Sequence, residues 1–158
     1  MAIRLSSRAI IIHDDKILLN EFGDGVCYNF PGGQIEENET APEAVVREVF
    51  EETGYSVEAE DYVFTFEYEA NHCNYYEGEG HRIHMFFRCR LKEDIQKEIP
   101  VQPDGDPNDS TMQTKPKWVL LSELKIIPFL PSSIRKSLIE YIDTGIFKPQ
   151  YFECSKFC

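Results

Sequence analysis

No apolar run in the sequence approaches the roughly 18 residues of a membrane-spanning helix, which excludes a helical integral membrane protein. Basic charge is scarce: 16 Lys and Arg stand against 28 Asp and Glu, a formal net charge of −12. Nonspecific binding to nucleic acid or to an anionic membrane needs positive surface, so neither partner is expected. Cysteine is sparse and odd in number. Cys27, Cys73, Cys89, Cys154 and Cys158 form no CxxC pair, which argues against a disulfide scaffold and fits a reducing, cytoplasmic setting. Cys154 and Cys158 are close enough in sequence to pair or to hold a soft metal, but an incidental flexible end is the simpler account. The opening stretch MAIRLSSRAIIIHDDK has only a short apolar run ending in charge, so no signal peptide is expected. No internal repeat is seen.

What is present is enough apolar matter for one core. The chain has 158 residues, 42% of them hydrophobic and 13% aromatic, which predicts a single domain with a core to about Lys148 and a tail from Pro149. Arg8 to His13 and Ile17 to Glu21 read as strands joined by a turn at Asp14-Asp15-Lys16. Cys27 to Phe30, Tyr62 to Glu69, Arg82 to Leu91 and Lys117 to Leu121 read as further strands. Ser122 is expected to cap a short helical turn, and a last helix runs from Ser132 or Ser133 to about Ile142, stopped by Gly145. Lys92 to Lys115 is polar and rich in proline and aspartate, long for an ordinary connection. Within it, Asp104 to Asp109 begins like a calcium loop but has Asp109 where the turn needs glycine and Lys115 where the last ligand needs glutamate. Strands interleaved with one central and one terminal helix predict a layered α/β domain.

The chemistry concentrates between Pro31 and Tyr55. Thr40 and Glu43 form a Thr-x-x-Glu capping box, and Gly54 suits a left-handed helix end, so a helix is expected from about Thr40 to Thr53. At about 100° per residue, Val45, Val46, Val49, Phe50 and Thr53 share an apolar stripe. Glu48, Glu51 and Glu52 share the neighbouring face, where Ala41 and Ala44 leave space. Like charges so spaced destabilise a helix by about 0.2–0.5 kcal/mol per pair, so the cluster calls for a cation. Arg47 relieves part of it by pairing with Glu43 and Glu51. Oxygen donors without a nearby His or Cys select Mg²⁺ or Mn²⁺ over zinc. Pro31-Gly32-Gly33 is expected to be a tight turn leaving a backbone carbonyl for the same ion. A solvated acidic face is the ordinary alternative, but it accounts for neither the paired glycines, nor the spacing to Glu39, nor the arginine directly before Glu48.

Gly33, five residues, Glu39, seven residues, then Arg47-Glu48-Val49-Phe50-Glu51-Glu52-Thr53-Gly54-Tyr55 resembles the Nudix box at every fixed position. The soft departure is Tyr55, at a site usually aliphatic. The resemblance implies a mixed curved sheet between helices, an α/β/α sandwich, and a metal-dependent hydrolase of nucleoside diphosphate derivatives. It further implies that Glu48, Glu51 and Glu52 hold Mg²⁺ or Mn²⁺ with the carbonyl of Gly32 or Gly33, and that Arg47 orients them. Glu39 or Glu52 would take the proton of the attacking water, unless a downstream carboxylate does so: Glu77 and Glu79 first, then Asp104, Asp106 and Asp109. Tyr28, Phe30, Phe66, Tyr68, Tyr75 and Tyr76 are candidates to stack on a base, with core packing the default for Phe64 and Phe66. Arg8, His81 and Arg82 are candidate phosphate contacts. The rival reading is a Nudix fold that binds a nucleotide as a sensor without cleaving it. Members of this family are frequently homodimers, though no segment here marks an interface.

Overall fold

The computed structural model describes residues 3–23, 25–69, 80–93, 114–146 and 151–153. Among these residues, nine strands and two α-helices follow in the order β1 (Arg4–His13), β2 (Lys16–Phe22), β3 (Cys27–Asn29), β4 (Gly32–Gln34), α1 (Ala41–Thr53), β5 (Val57–Glu69), β6 (His81–Leu91), β7 (Lys115–Leu120), β8 (Phe129–Leu130), α2 (Arg135–Thr144) and β9 (Tyr151–Glu153). The sheet runs β8-β3-β2-β1-β6-β5-β9, with β4 added on β1 and β7 on β2. It is mixed: β1 with β6, β3 with β8 and β5 with β9 are parallel, the rest antiparallel.

One feature of this topology makes the site. β1 and β2 pair only at Ile12 with Ile17 and at His13 with Lys16, beside the two-residue turn in which Asp14 has a φ of +52°. Beyond that the strands part, and β1 instead takes β4 through Ser6–Gln34, Ser7–Gly33 and Arg8–Gly32. The split gives β4 its place beside β1, and α1 packs against both strands.

Period-two alternation in β1 and β2 serves two cores. Ile10, Ile17 and Leu19 join Phe30, Phe64, Phe66, Phe86, Leu124, Ile134 and Leu138 on the α2 face. Ala9, Ile11 and Leu18 meet Val45, Val49, Tyr55, Val57 and Phe87 on the α1 face. Each fully buried valine or leucine there contributes about 1.5–3 kcal/mol. A layered α/β domain with helices on both faces is thus observed.

The expected helix limits hold: Thr40 and Glu43 make the reciprocal capping box, and Gly54 closes α1 with a φ of +73°. Several other expectations need correction. Gly32 and Gly33 lie in a strand, since pairing with β1 holds that backbone extended. Phe50 is 47% exposed and does not anchor α1, and Ala44 is wholly buried instead of lining the acidic face. β1, β5 and β7 begin earlier than expected. Ser122 lies inside a 3₁₀ turn, Leu121–Lys125, and does not cap it. Ser132–Ile134 is likewise a 3₁₀ turn leading into α2. β9, within the expected tail, pairs with β5.

Candidate active site

α1 and β4 face each other across the split in the sheet, and both glycines are there for space. Gly32 has a φ of +134°, and a Cβ on it would stand 2.1 Å from the carbonyl oxygen of Ser7. A Cβ on Gly33 would stand 2.4 Å from the carboxyl carbon of Glu48. The position of Gly33 is therefore a cradle that the Glu48 carboxylate occupies. Backbone bonds fix the segment to β1, Ala9 N to Pro31 O at 2.8 Å and Ile35 N to Leu5 O at 3.0 Å. Arg8 clamps it from the other side by donating to the carbonyls of Phe30 and Gly32. The carbonyl of Gly32, expected to be uncommitted, thus already accepts from a guanidinium.

Arg47 gathers the acidic groups. Its Nε and Nη2 donate to the two oxygens of Glu39 at 3.0 and 2.7 Å. Its Nη1 donates to Glu48 and to Glu51, both at 3.0 Å, and Nη2 also reaches Gln34 O at 3.0 Å. The expected pair with Glu43 does not form, because the Glu43 carboxylate accepts from the N–H and hydroxyl of Thr40 at the helix cap. Bound this way, Glu39 has its pKa lowered to about 2, first by Arg47 and then by the Glu36 N–H. The same carboxylates hold Arg47 firmly charged.

Glu48 and Glu52 lie deeper. Burial pushes the Glu48 carboxyl up, partly offset by Arg47. Burial pushes Glu52 up as well, opposed by the charge of Arg8 and by donors from Gly32 N and Asn20 Nδ2, each 2.8 Å from Oε2. Glu51 has a half-exposed side chain, so α1 turns Glu48 and Glu52 inward and Glu51 toward solvent.

The donor set of carboxylate, amide and carbonyl oxygens fits a hard divalent cation in chemistry. In the present arrangement the carboxylates are gathered on Arg47. Among the described residues no three His, Cys, Asp or Glu side chains converge on a common ion position.

The remaining candidates divide clearly. Tyr28, Phe30, Phe66 and Tyr68 are buried, so they pack the core and do not present a free face to a base. Phe64 is core, as expected. Arg8 is a backbone clamp. His81 is engaged by Glu67. Buried His84, which no sequence pattern marks, meets Tyr68 at 3.4 Å, and burial holds its pKa well below the usual imidazole value. Glu77, Glu79, Tyr75, Tyr76, Asp104, Asp106, Asp109, Cys73, Cys154 and Cys158 lie outside the described residues. Cys27 and Cys89 are free thiols. Asn20 is a site residue that the sequence reading misses, although a polar residue ending the run Ile17-Leu18-Leu19 on the α1 side is a readable signal.

A family model described as NUDIX domain matches residues 3–140. The chain belongs to the Nudix family. A Bacillus subtilis protein named provisionally as an 8-oxo-dGTP diphosphatase is 40% identical over 47 residues, covering 30% of this chain and 32% of that protein. The match therefore spans about a third of the relative's length. An ADP-ribose pyrophosphatase from Streptococcus suis is similar in structure, with a TM-score of 0.63 at 24% identity over 94% of this chain and 98% of that one. A MutT protein from Bacillus halodurans gives 0.64 at 19% identity, over 94% and 86%. At these identities the structural matches speak for the fold.

Proposed function

We propose that this chain hydrolyses a phosphoanhydride bond in a nucleoside diphosphate derivative, with Mg²⁺ or Mn²⁺ held by Glu48, Glu51 and Glu52 beside the Gly32–Gly33 backbone. The observation that carries this reading is the placement of the Glu48 and Glu52 carboxylates, both turned inward against two glycines that leave no side chain in the way. The names of the relatives lend support, because a diphosphatase of 8-oxo-dGTP and a pyrophosphatase of ADP-ribose share a nucleotide with a phosphoanhydride as substrate.

A divalent cation held there would supply neutralisation of phosphate charge and a water acidic enough to lose its proton near neutral pH. The chain's own groups do the rest. Glu52 accepts a proton from the attacking water as its oxygen bonds to phosphorus and the bridging P–O bond breaks. Glu52 suits this better than Glu39, whose affinity for a proton is suppressed by its two bonds to Arg47. Arg47 orients Glu39, Glu48 and Glu51, and Arg8 keeps the Gly32 backbone in register.

The test is a panel of nucleoside diphosphate derivatives with Mg²⁺ and Mn²⁺, scored for release of nucleotide and phosphate and repeated with Glu52→Gln. The expected result is turnover on at least one compound, lowered at least ~100-fold by Glu52→Gln, a larger effect than loss of a group that merely supports a metal ligand. The melting temperature of Glu52→Gln should be unchanged or higher, because the amide keeps an acceptor oxygen and removes a charge that burial disfavours. Nucleotide binding without turnover across the panel would instead support the sensor.

A further inference from the structure

Asn20 ends an apolar run in β2 and is 1% exposed. Alternation with Leu18, which packs in the α1 core, puts its side chain on the α1 face. Its partner directly opposite on β3 is Asn29, so two amides stand side by side on that face. Asn20 Nδ2 donates to Glu52 Oε2 at 2.8 Å. Oδ1 of Asn20 and Oδ1 of Asn29 are buried and find no donor.

That last fact bears on why asparagine is there. A buried amide oxygen without a partner is unfavourable, and a leucine of similar shape would avoid it. Stability alone does not account for Asn20. What the amide supplies is a donor to Glu52 Oε2 from β2. Another donor to the same oxygen, Gly32 N, comes from β4. Two donors from two different strands, converging on one oxygen, restrict both its position and its plane. The third element, α1, supplies the carboxylate.

We infer that Asn20 is a positioning residue for Glu52, set in β2 to hold that carboxylate in the orientation a divalent cation requires. The inference rests on the metal-dependent reading above and deepens it. Groups that hydrogen-bond a metal ligand fix the ligand's orientation, and their loss typically weakens metal binding or activity by about 10- to 100-fold.

The test measures Mn²⁺ affinity by calorimetry for wild type, Asn20→Leu, Glu52→Gln and the double variant, with Asn20→Ala as a second truncation. Melting temperatures, and kcat and KM on a substrate from the panel, are taken alongside. Asn20→Leu should still fold with a cooperative thermal transition, bind Mn²⁺ about 10- to 100-fold more weakly, and lose kcat by a similar factor with KM little changed. Adding Asn20→Leu to Glu52→Gln should alter Mn²⁺ affinity by less than about 2-fold, because the group it serves is already gone. Wild type that binds Mn²⁺ with Asn20→Leu and Asn20→Ala equally strong overturns the role of Asn20 alone. An equal loss in both backgrounds also overturns it, since Asn20 would then act without Glu52. Wild type that binds no Mn²⁺ overturns this inference together with the metal-dependent reading.

Discussion

Arg47 has five N–H donors, and all five are engaged: two on Glu39, one each on Glu48 and Glu51, and one on the Gln34 carbonyl. A lysine could not reproduce that fork. The cation that the glutamate cluster calls for is thus partly internal, and the arginine has a larger part than the i, i+4 pairing rule suggests. One consequence is a pH dependence at Glu39. Its folded pKa of about 2 lies below the 4.5 of an unperturbed glutamate, so the unfolded chain binds the extra proton between these values. The stabilisation from this charge is therefore full above about pH 4.5 and is lost as pH falls through about 2. Comparing urea midpoints of wild type and Glu39→Gln should show wild type ahead at pH 7 and the gap closing toward about pH 2. A gap independent of pH would show that the ion pair is not its source.

Among elements, β4 and α1 divide the duties of the two glycines in a way that substitution can separate. Gly32→Ala drives a Cβ into the Ser7 carbonyl and demands a backbone angle that alanine resists, so β4 cannot keep its pairing with β1. It should lower stability by about 1–3 kcal/mol or more, together with activity. Gly33→Ala meets the Glu48 carboxylate first, the end of a flexible side chain. It should leave the denaturation midpoint nearly intact and still abolish most turnover, because Glu48 is pushed from its place. Equal effects on folding from the two substitutions would contradict this division.

These elements also show where sequence is readable. α1 is legible from its cap to its last residue because its signals are local: Thr40, Glu43, Pro42 and Gly54 act within a turn of themselves. β4 and β8 are not, because strands of three and two residues exist only through partners far along the chain, β1 and β3. The first half of β5 is hidden for another reason. Glu58, Glu60 and Asp61 look like loop residues, but they face Arg88 and Arg90 of β6 as cross-strand ion pairs. Phe50 falls on the wrong side of the boundary because periodicity gives the direction of an apolar stripe and not its width. In the site, the box residues are legible as a set, whereas the partners of Arg8 and Asn20, the Gly32 carbonyl and the Glu52 carboxylate, lie 24 and 32 residues away, and no local pattern encodes those contacts.

For the molecule as a whole, a net charge of −12 with inward carboxylates means that a bound divalent cation should matter to folding as well as to chemistry. At about 100 times its dissociation constant, a ligand specific to the folded state contributes about 2.7 kcal/mol. For a chain of this size that is a rise in melting temperature on the order of 5 to 10 °C. Scanning calorimetry with added Mn²⁺ should show such a rise for wild type and little for Glu52→Gln. The same rise in both would place the stabilising ion away from this site.

The box ends at Tyr55, fully buried just beyond Glu52, with its hydroxyl accepting from Trp118 Nε1 of β7 at 3.1 Å and the two rings 5.8 Å apart. Trp118 is the sole tryptophan of the chain. The seating of the carboxylate helix is therefore wired to a single native fluorophore. Emission from that indole should follow whether the carboxylate-bearing end of α1 is docked, without a label and separately from the circular dichroism of the sheet.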